Sequence, residues 1–405
     1  MLVAVSLWGT LAVGGTETIY AGFTRPLYQR GYRGITGQFR NDDGIMTGAE
    51  MTRIGRKAAG VLMLPIMLAG CSWIDAPESG LDAGRMAYEA NEFSKARSIL
   101  VRALQQDPSS TEAALLLART KIAQGDGEGA LATLAQVPVD GPSANEAKLL
   151  RAEAFLVNGD WRKARREVSG LNVQRVHYVH GLAAMQEGDT EAAEDAFAKG
   201  ASMARPDPRL LAEYAFLRLG EGDLAEARRL VSRAEAADAE ELVVMQARAE
   251  IALAREDFAQ AAQSYQRAVR LYPESRQTKL AYANALGAMG RFSEAQKVID
   301  AVVGHGDPDG EAAFVLAKLA AQRGEWRKVR AYLQPISGNG PPEQRALYAQ
   351  ALIEVGLNNL AIAEVEALAE DDTSGPAIRQ ILARAYRAEG DAMNARRFES
   401  DGRGS

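Results

Sequence analysis

A six-residue pattern recurs along the chain and limits the folds that it can adopt. The pattern has a glycine, an aspartate, an apolar residue, two variable residues and a small residue, as in Gly159-Asp160-Trp161-Arg162-Lys163-Ala164. The small position is occupied in chain order by Ala96, Ala130, Ala164, Ala193, Ala227, Ala261, Ala295, Val329, Ala361 and Ala395. Seven of the nine steps between these positions are 34 residues, and the other two are 29 and 32. A period of this length predicts stacked units that bury their apolar faces against one another.

Each position of the pattern has a physical reason. Glycine adopts the left-handed conformation that ends a first helix without a steric penalty. The aromatic residue that follows, such as Trp161 or Trp326, is expected to wedge between the two helices of its unit. The alanine has to be small because the two helices cross closely beside it. An apolar residue one turn further on should pack into the next unit.

This helix-turn-helix pattern resembles the tetratricopeptide repeat. The resemblance covers residues 77–405 in about ten repeats, and it implies an all-α fold, a right-handed α-α superhelix. It also implies that the first helices line the concave face, where members of this family bind other proteins. The 29-residue step near Asn172 is expected to tighten or tilt the junction of repeats three and four.

Charge and motif content argue against other classes of function. The net charge is −6, and residues beyond position 70 include 40 basic and 49 acidic side chains, so no basic surface for nucleic acid is expected. Phosphate-binding loops, nucleophile elbows and zinc-protease motifs do not occur, so we expect no catalysis, no cofactor and no small-molecule substrate. His177 and His180 lie one helical turn apart, but no cysteine or positioned carboxylate accompanies them as a metal ligand.

The segment before the repeats resembles a bacterial lipoprotein signal. Residues 51–70 have a basic head followed by an apolar run, Ala58 to Leu68, which is too short to cross a hydrocarbon core about 30 Å thick. The run ends in Leu68-Ala69-Gly70-Cys71, which is similar to a lipobox. The resemblance implies that Cys71 is lipidated and that residues 71–76 are a tether. Ser72 then implies sorting to the outer membrane, facing the periplasm.

Residues 1–50 do not fit this arrangement and are left unassigned. Their apolar start lacks a basic head, and residues 22–50 are rich in glycine and arginine without a period. We expect translation to begin at Met51, with residues 1–50 as upstream read-through. The alternative is an additional segment that anchors the chain in the membrane.

One residue from the middle of each first helix is expected to face the groove. In repeat order these residues are Arg85, Arg119, Glu153, Leu182, Phe216, Glu250, Asn284, Lys318, Gln350 and Arg384. Because only repeats four and five are apolar here, we predict an apolar patch that binds a partner, formed by Tyr178, Leu182, Met185, Phe216 and Leu219. The charged residues at both ends should orient the partner. The alternative is that the shortened junction simply buries these apolar side chains.

The combination of lipobox and repeats is similar to accessory lipoproteins of tight-adherence (Flp) pilus systems. It is also similar to the accessory proteins of exopolysaccharide export systems. Either resemblance implies a scaffold that contacts other envelope proteins through the groove and the membrane through its lipid. Because one fold supports many functions, the repeats do not distinguish these two pathways.

Overall fold

The computed structural model describes residues 80–304, 308–336, 340–369 and 376–400. These ranges form twenty α-helices and no strand. The first ten helices are α1 (Gly80–Glu89), α2 (Phe93–Gln106), α3 (Thr111–Ala123), α4 (Gly127–Leu134), α5 (Ala144–Val157), α6 (Trp161–Glu167), α7 (Arg175–Glu187), α8 (Thr190–Ala201), α9 (Pro208–Gly220) and α10 (Leu224–Ala237). The others are α11 (Leu242–Ala254), α12 (Phe258–Leu271), α13 (Arg276–Ala288), α14 (Phe292–Val303), α15 (Gly310–Gln322), α16 (Trp326–Leu333), α17 (Pro342–Glu354), α18 (Asn358–Ala369), α19 (Pro376–Ala388) and α20 (Ala392–Ser400). They form ten helix-turn-helix repeats in an α-α superhelix, as the sequence predicted.

The turn inside each repeat has one residue with positive φ at the same position. These residues are Asn91, Gly125, Gly159, Gly188, Gly222, Glu256, Gly290, Gly324, Gly356 and Gly390. Asparagine tolerates this conformation, whereas glutamate does so at a steric cost, and both Asn91 and Glu256 have φ of 58°. The turn is therefore set by its position in the repeat, even where glycine is missing.

The small position of the pattern lies at the centre of every repeat. Nine of the ten anchor residues are 0% exposed and Ala395 is 3% exposed. The predicted apolar residues one turn further on are also buried, namely Leu100, Leu134, Phe197, Tyr265 and Leu333. The small position is therefore buried as predicted, but Leu100, Phe197 and Tyr265 contact the first helix of their own repeat, where we had predicted packing into the next one.

In five repeats the aspartate of the pattern caps the second helix, a role that we did not assign from the sequence, whereas Asp160 of α6 makes no such hydrogen bond. The capping side chain accepts a hydrogen bond of 2.8 to 3.0 Å from the backbone N–H three residues later in α4, α8, α10, α12 and α20. Such a cap stabilises a helix by about 1 kcal/mol. The glycine therefore ends one helix and the next residue begins the other.

The tryptophans of the pattern pack against the core, and their position between the two helices of a repeat stays a prediction. Trp161 and Trp326 are both half-buried, and each packs against the edge of an apolar cluster. The guanidinium groups of Arg162 and Arg165 lie 4.5 and 5.7 Å from the centroid of the Trp161 ring. Two cations of its own helix therefore lie over this ring.

The repeat that contains the 29-residue step has a short second helix. Helix α6 has 7 residues, whereas α8 of the next repeat has 12. Helices α5 and α7 still contact each other across this junction, so the array continues through it. In the described ranges, no helix is long and apolar enough to cross a membrane.

Candidate functional site

The first helices of the repeats form the inner layer of the superhelix. Each of them contacts its partner in the repeat, and most also contact the first helix of the next repeat. Helix α11 shows the consequence, because its buried residues, Val243 to Ala252, lie on nearly all of its faces. A helix that is covered on several sides has few positions left to face the concave surface. The side chains at those positions make up the candidate binding groove.

The five residues of the predicted apolar patch all belong to one apolar cluster, built from repeats three to six. Leu182 is only 4% exposed, so it belongs to the core against which the other four side chains pack. Tyr178, Met185, Phe216 and Leu219 are half-buried and pack against the same core. These four side chains are the part of the predicted patch that is not fully buried, and their role in binding stays a prediction.

A ladder of ion pairs joins the first helices beside the patch. Arg119 of α3 donates to Glu146 of α5 at 2.8 Å, and Arg175 of α7 donates to the same carboxylate at 2.8 and 2.9 Å. Arg175 also donates to the buried carboxylate of Glu153 at 2.6 Å. Burial opposes ionisation of Glu146, but the hydrogen bonds from both arginines outweigh it and lower the pKa of this carboxyl group.

Arg209, at the start of α9, extends the ladder to the patch. Its guanidinium lies 3.7 Å from Glu153 and 3.0 Å from Asp207, and 4.8 Å from the centroid of the Tyr178 ring. Burial alone would lower the pKa of Arg209, but Glu153, Tyr178 and Asp207 raise it, so the guanidinium stays charged. Arg175 and Arg209 were not among the predicted groove residues because they begin their helices instead of occupying the middle position.

Tyr88 of α1 shows that the walls of the groove approach one another. Burial is the largest cause of the raised pKa of this phenol, and the charges of Arg119, Glu241, Arg209 and Glu153 also act on it. Those four residues belong to repeats two, three, five and six, while Tyr88 belongs to repeat one. Charges from repeats two, three, five and six therefore act on one phenol of repeat one.

Polar contacts continue in repeats six to eight. The phenol of Tyr265 donates to the buried Glu250 carboxylate, and the Gln246 amide donates to Thr278 Oγ1 at 3.1 Å. Burial lowers the pKa of Lys318 to about 8, although the charge of Glu250 opposes that shift. Glu250, at the middle position of α11, is thus buried, and its charge acts on Lys318 at the middle position of α15.

The arginines at the ends of the groove have partners within the chain. Arg85 pairs with Glu112 of the next repeat, and Arg384 pairs with Glu354 of the preceding repeat at 2.7 Å. Both arginine side chains remain about half exposed, so these pairs stabilise the array only weakly. A partner that is oriented by these charges would have to compete with the pairs already present.

No group of three or more metal-ligating side chains occurs in the ranges that the structure describes. His177 and His180 both lie on α7 and are half-buried. Burial lowers the pKa of His180, and the neighbouring Arg165 and His177 lower it further. An imidazole in this position is neutral at pH 7 and packs beside the core. Cys71 and the rest of the predicted signal and tether lie outside the described residues.

A family model for the tetratricopeptide repeat matches residues 87–154 and 252–319. Both matches fall on the helix pairs described above. Residues 87–154 and 252–319 are tetratricopeptide repeats. Tetratricopeptide repeats bind other proteins, so this superhelix is a scaffold for protein-protein interaction.

Several solved structures are similar to this tetratricopeptide-repeat chain. A tetratricopeptide repeat protein from Parabacteroides merdae is 15% identical, with 56% of this chain and 93% of that chain covered and a TM-score of 0.44. Yeast Tom70 is 12% identical, with 81% and 85% covered and a TM-score of 0.42. The Cut9–Hcn1 hetero-tetramer of the APC/C is 11% identical, with 79% and 92% covered and a TM-score of 0.41. No curated protein matches the chain.

Proposed function

We propose that this protein is a non-catalytic scaffold of the bacterial cell envelope that assembles other envelope proteins on its concave face. The observation that carries the proposal is the half-buried apolar patch of Tyr178, Met185, Phe216 and Leu219, set beside a ladder of ion pairs. Covering apolar surface contributes about 25 cal/mol per Å², so a partner segment gains affinity from this patch. The fixed charges around it restrict which segments fit and in which direction.

The occupant that suits this surface is a helical or extended segment of another envelope protein. Its apolar side chains would cover the patch. Its polar groups would contact Arg209 and Glu241, whose charges lie close to Tyr88 of repeat one. Assembly of a tight-adherence pilus is the pathway that we favour, because its accessory lipoproteins resemble this combination of lipobox and repeats. An exopolysaccharide export complex is the alternative, and the gene neighbours would distinguish them.

Site-specific photo-crosslinking tests whether the groove binds a partner. A photo-crosslinking amino acid is placed at Tyr178, and at Val101 as a control, because Val101 is 37% exposed on the second helix of repeat one. In cells of the source bacterium, the probe at Tyr178 should form one adduct with a defined partner, and the probe at Val101 should not. Equal adducts at both positions, or an adduct at Val101 alone, would contradict the proposal.

Lipidation of Cys71 is tested separately by the mass and the location of the mature chain. The Cys71→Ala variant should accumulate as an uncleaved precursor without lipid, because the modification needs the thiol. The Ser72→Ala variant is the matched control and should be lipidated and cleaved like the parent. Intact mass and detergent partitioning read both outcomes. An unmodified Cys71, or a mature protein that retains residues 1–50, would refute the lipoprotein assignment.

A further inference from the structure

The second helix of repeat one begins without a cap of its own. The N-cap position of α2 is Glu92, which makes no side-chain hydrogen bond to the first turn. In α4, α8, α10 and α12 the corresponding aspartate supplies that bond. The first N–H groups of a helix have no partner within the helix, so the start of α2 is open to a carboxylate from elsewhere.

Glu274, in the turn between α12 and α13, supplies this carboxylate from the sixth repeat. Its two carboxylate oxygens accept hydrogen bonds from the backbone N–H of Ser94 at 2.9 and 3.0 Å. The hydroxyl of Ser94 donates to the same carboxylate at 2.8 Å. The Gln124 amide of repeat two donates to the Ser94 hydroxyl at 3.2 Å. Three hydrogen bonds to one carboxylate thus connect two residues that are 180 positions apart in the chain.

Three aromatic rings form a second contact between repeats one and six. The ring centroids of Tyr88 and Phe93 are 5.6 Å apart, and those of Phe93 and Tyr272 are 6.4 Å apart. The phenol of Tyr272 donates to the Glu240 carbonyl oxygen at 3.0 Å, which fixes this ring to the loop before α11. Burial is the largest cause of the raised pKa of both tyrosines, so this contact excludes much of the water. Repeats one and six are therefore joined both by the hydrogen bonds of Glu274 and by an aromatic contact.

We propose that Glu274 is a latch that caps α2 from across the superhelix and holds repeats one to six as a closed turn. The latch fixes the distance between repeats one and six, so it sets how wide the concave face opens. The contact is small and its carboxylate is exposed, so it can break without unfolding either repeat. Where the groove binds a partner segment, which is the part that rests on the proposed function, opening of the latch admits that segment.

Distances between spin labels on repeats one and six test the latch without any partner. Labels are attached to cysteines that replace the exposed Arg102 and Arg270, in the full chain with Cys71→Ser. The parent should give one narrow distance distribution, and Glu274→Ala should give a longer and broader one with unchanged helical content. The control Glu191→Ala removes an exposed carboxylate from the first turn of α8 and should keep the narrow distribution.

Glu274→Gln distinguishes the cap from the charge, because the amide keeps one oxygen that accepts from Ser94. It should keep most of the narrow population. An unchanged distribution in Glu274→Ala would overturn the latch, and so would broadening accompanied by loss of helicity, because that would show that the residue is needed for folding. No partner is present in the spin-label experiment. Its outcome therefore does not bear on the proposed function, which the photo-crosslinking result tests separately.

Discussion

Replacing Phe197 with alanine should destabilise repeats four and five by about 3–5 kcal/mol, the usual cost of removing a large buried aromatic side chain. Phe197 is 0% exposed, and its ring stacks on Tyr214 with centroids 6.0 Å apart. The ring lies directly against the backbone of Gly181 in the first helix of its own repeat, where even a Cβ atom would overlap it. Neighbouring helices cannot fill the cavity completely because each is held by its own partner helix.

The effect of Phe197→Ala should remain local. Repeats couple only through their interfaces, so hydrogen exchange should accelerate first in α7 to α10 and much less in α15 to α20. Trp161→Ala is the control: it removes a larger side chain, but one that is half-buried, so it should destabilise its own repeat less than Phe197→Ala. Equal loss of protection along the whole described array would contradict this view of the stability.

The fold was predictable because each repeat is specified locally. A glycine that ends a helix and an alanine at the helix crossing lie within a few residues of each other. The recurrence of this short pattern every 34 residues is therefore enough to predict the repeated helix pair. Val329 at one anchor, and Asn91 and Glu256 at two turns, did not alter the arrangement. Neighbouring repeats impose the same geometry where one residue departs from the pattern.

The groove was predictable only in part, because it depends on contacts between distant repeats. The apolar character of repeats four and five was visible, but a residue's helical position did not reveal that Leu182 faces the core. The ladder uses Arg175 and Arg209 at helix starts, outside the position that was aligned. The contact of Ser94 with Glu274 depends on the curvature accumulated over five repeat junctions, which no local pattern encodes.

The substitution Phe216→Asp should abolish partner capture while the array stays folded. Phe216 is half-buried at the edge of the core, and its helix is held by the fully buried Leu210 and Leu211. A carboxylate at this position would face the partner's apolar side chains and lose its hydration when the groove closes over it, which is unfavourable by several kcal/mol. Val101→Asp places the same charge at an exposed position of α2 and should leave capture unchanged.

Partner capture and helical content, measured together on Phe216→Asp, test the scaffold function most directly. The partner is the protein identified by the adduct from Tyr178, and its binding to the purified chain is measured beside circular dichroism. A binding groove predicts the parent's helical content with binding reduced below detection, while Val101→Asp binds normally. Loss of helicity in Phe216→Asp would show instead that the side chain belongs to the core. Full binding by this variant would contradict the groove as the site where the partner binds.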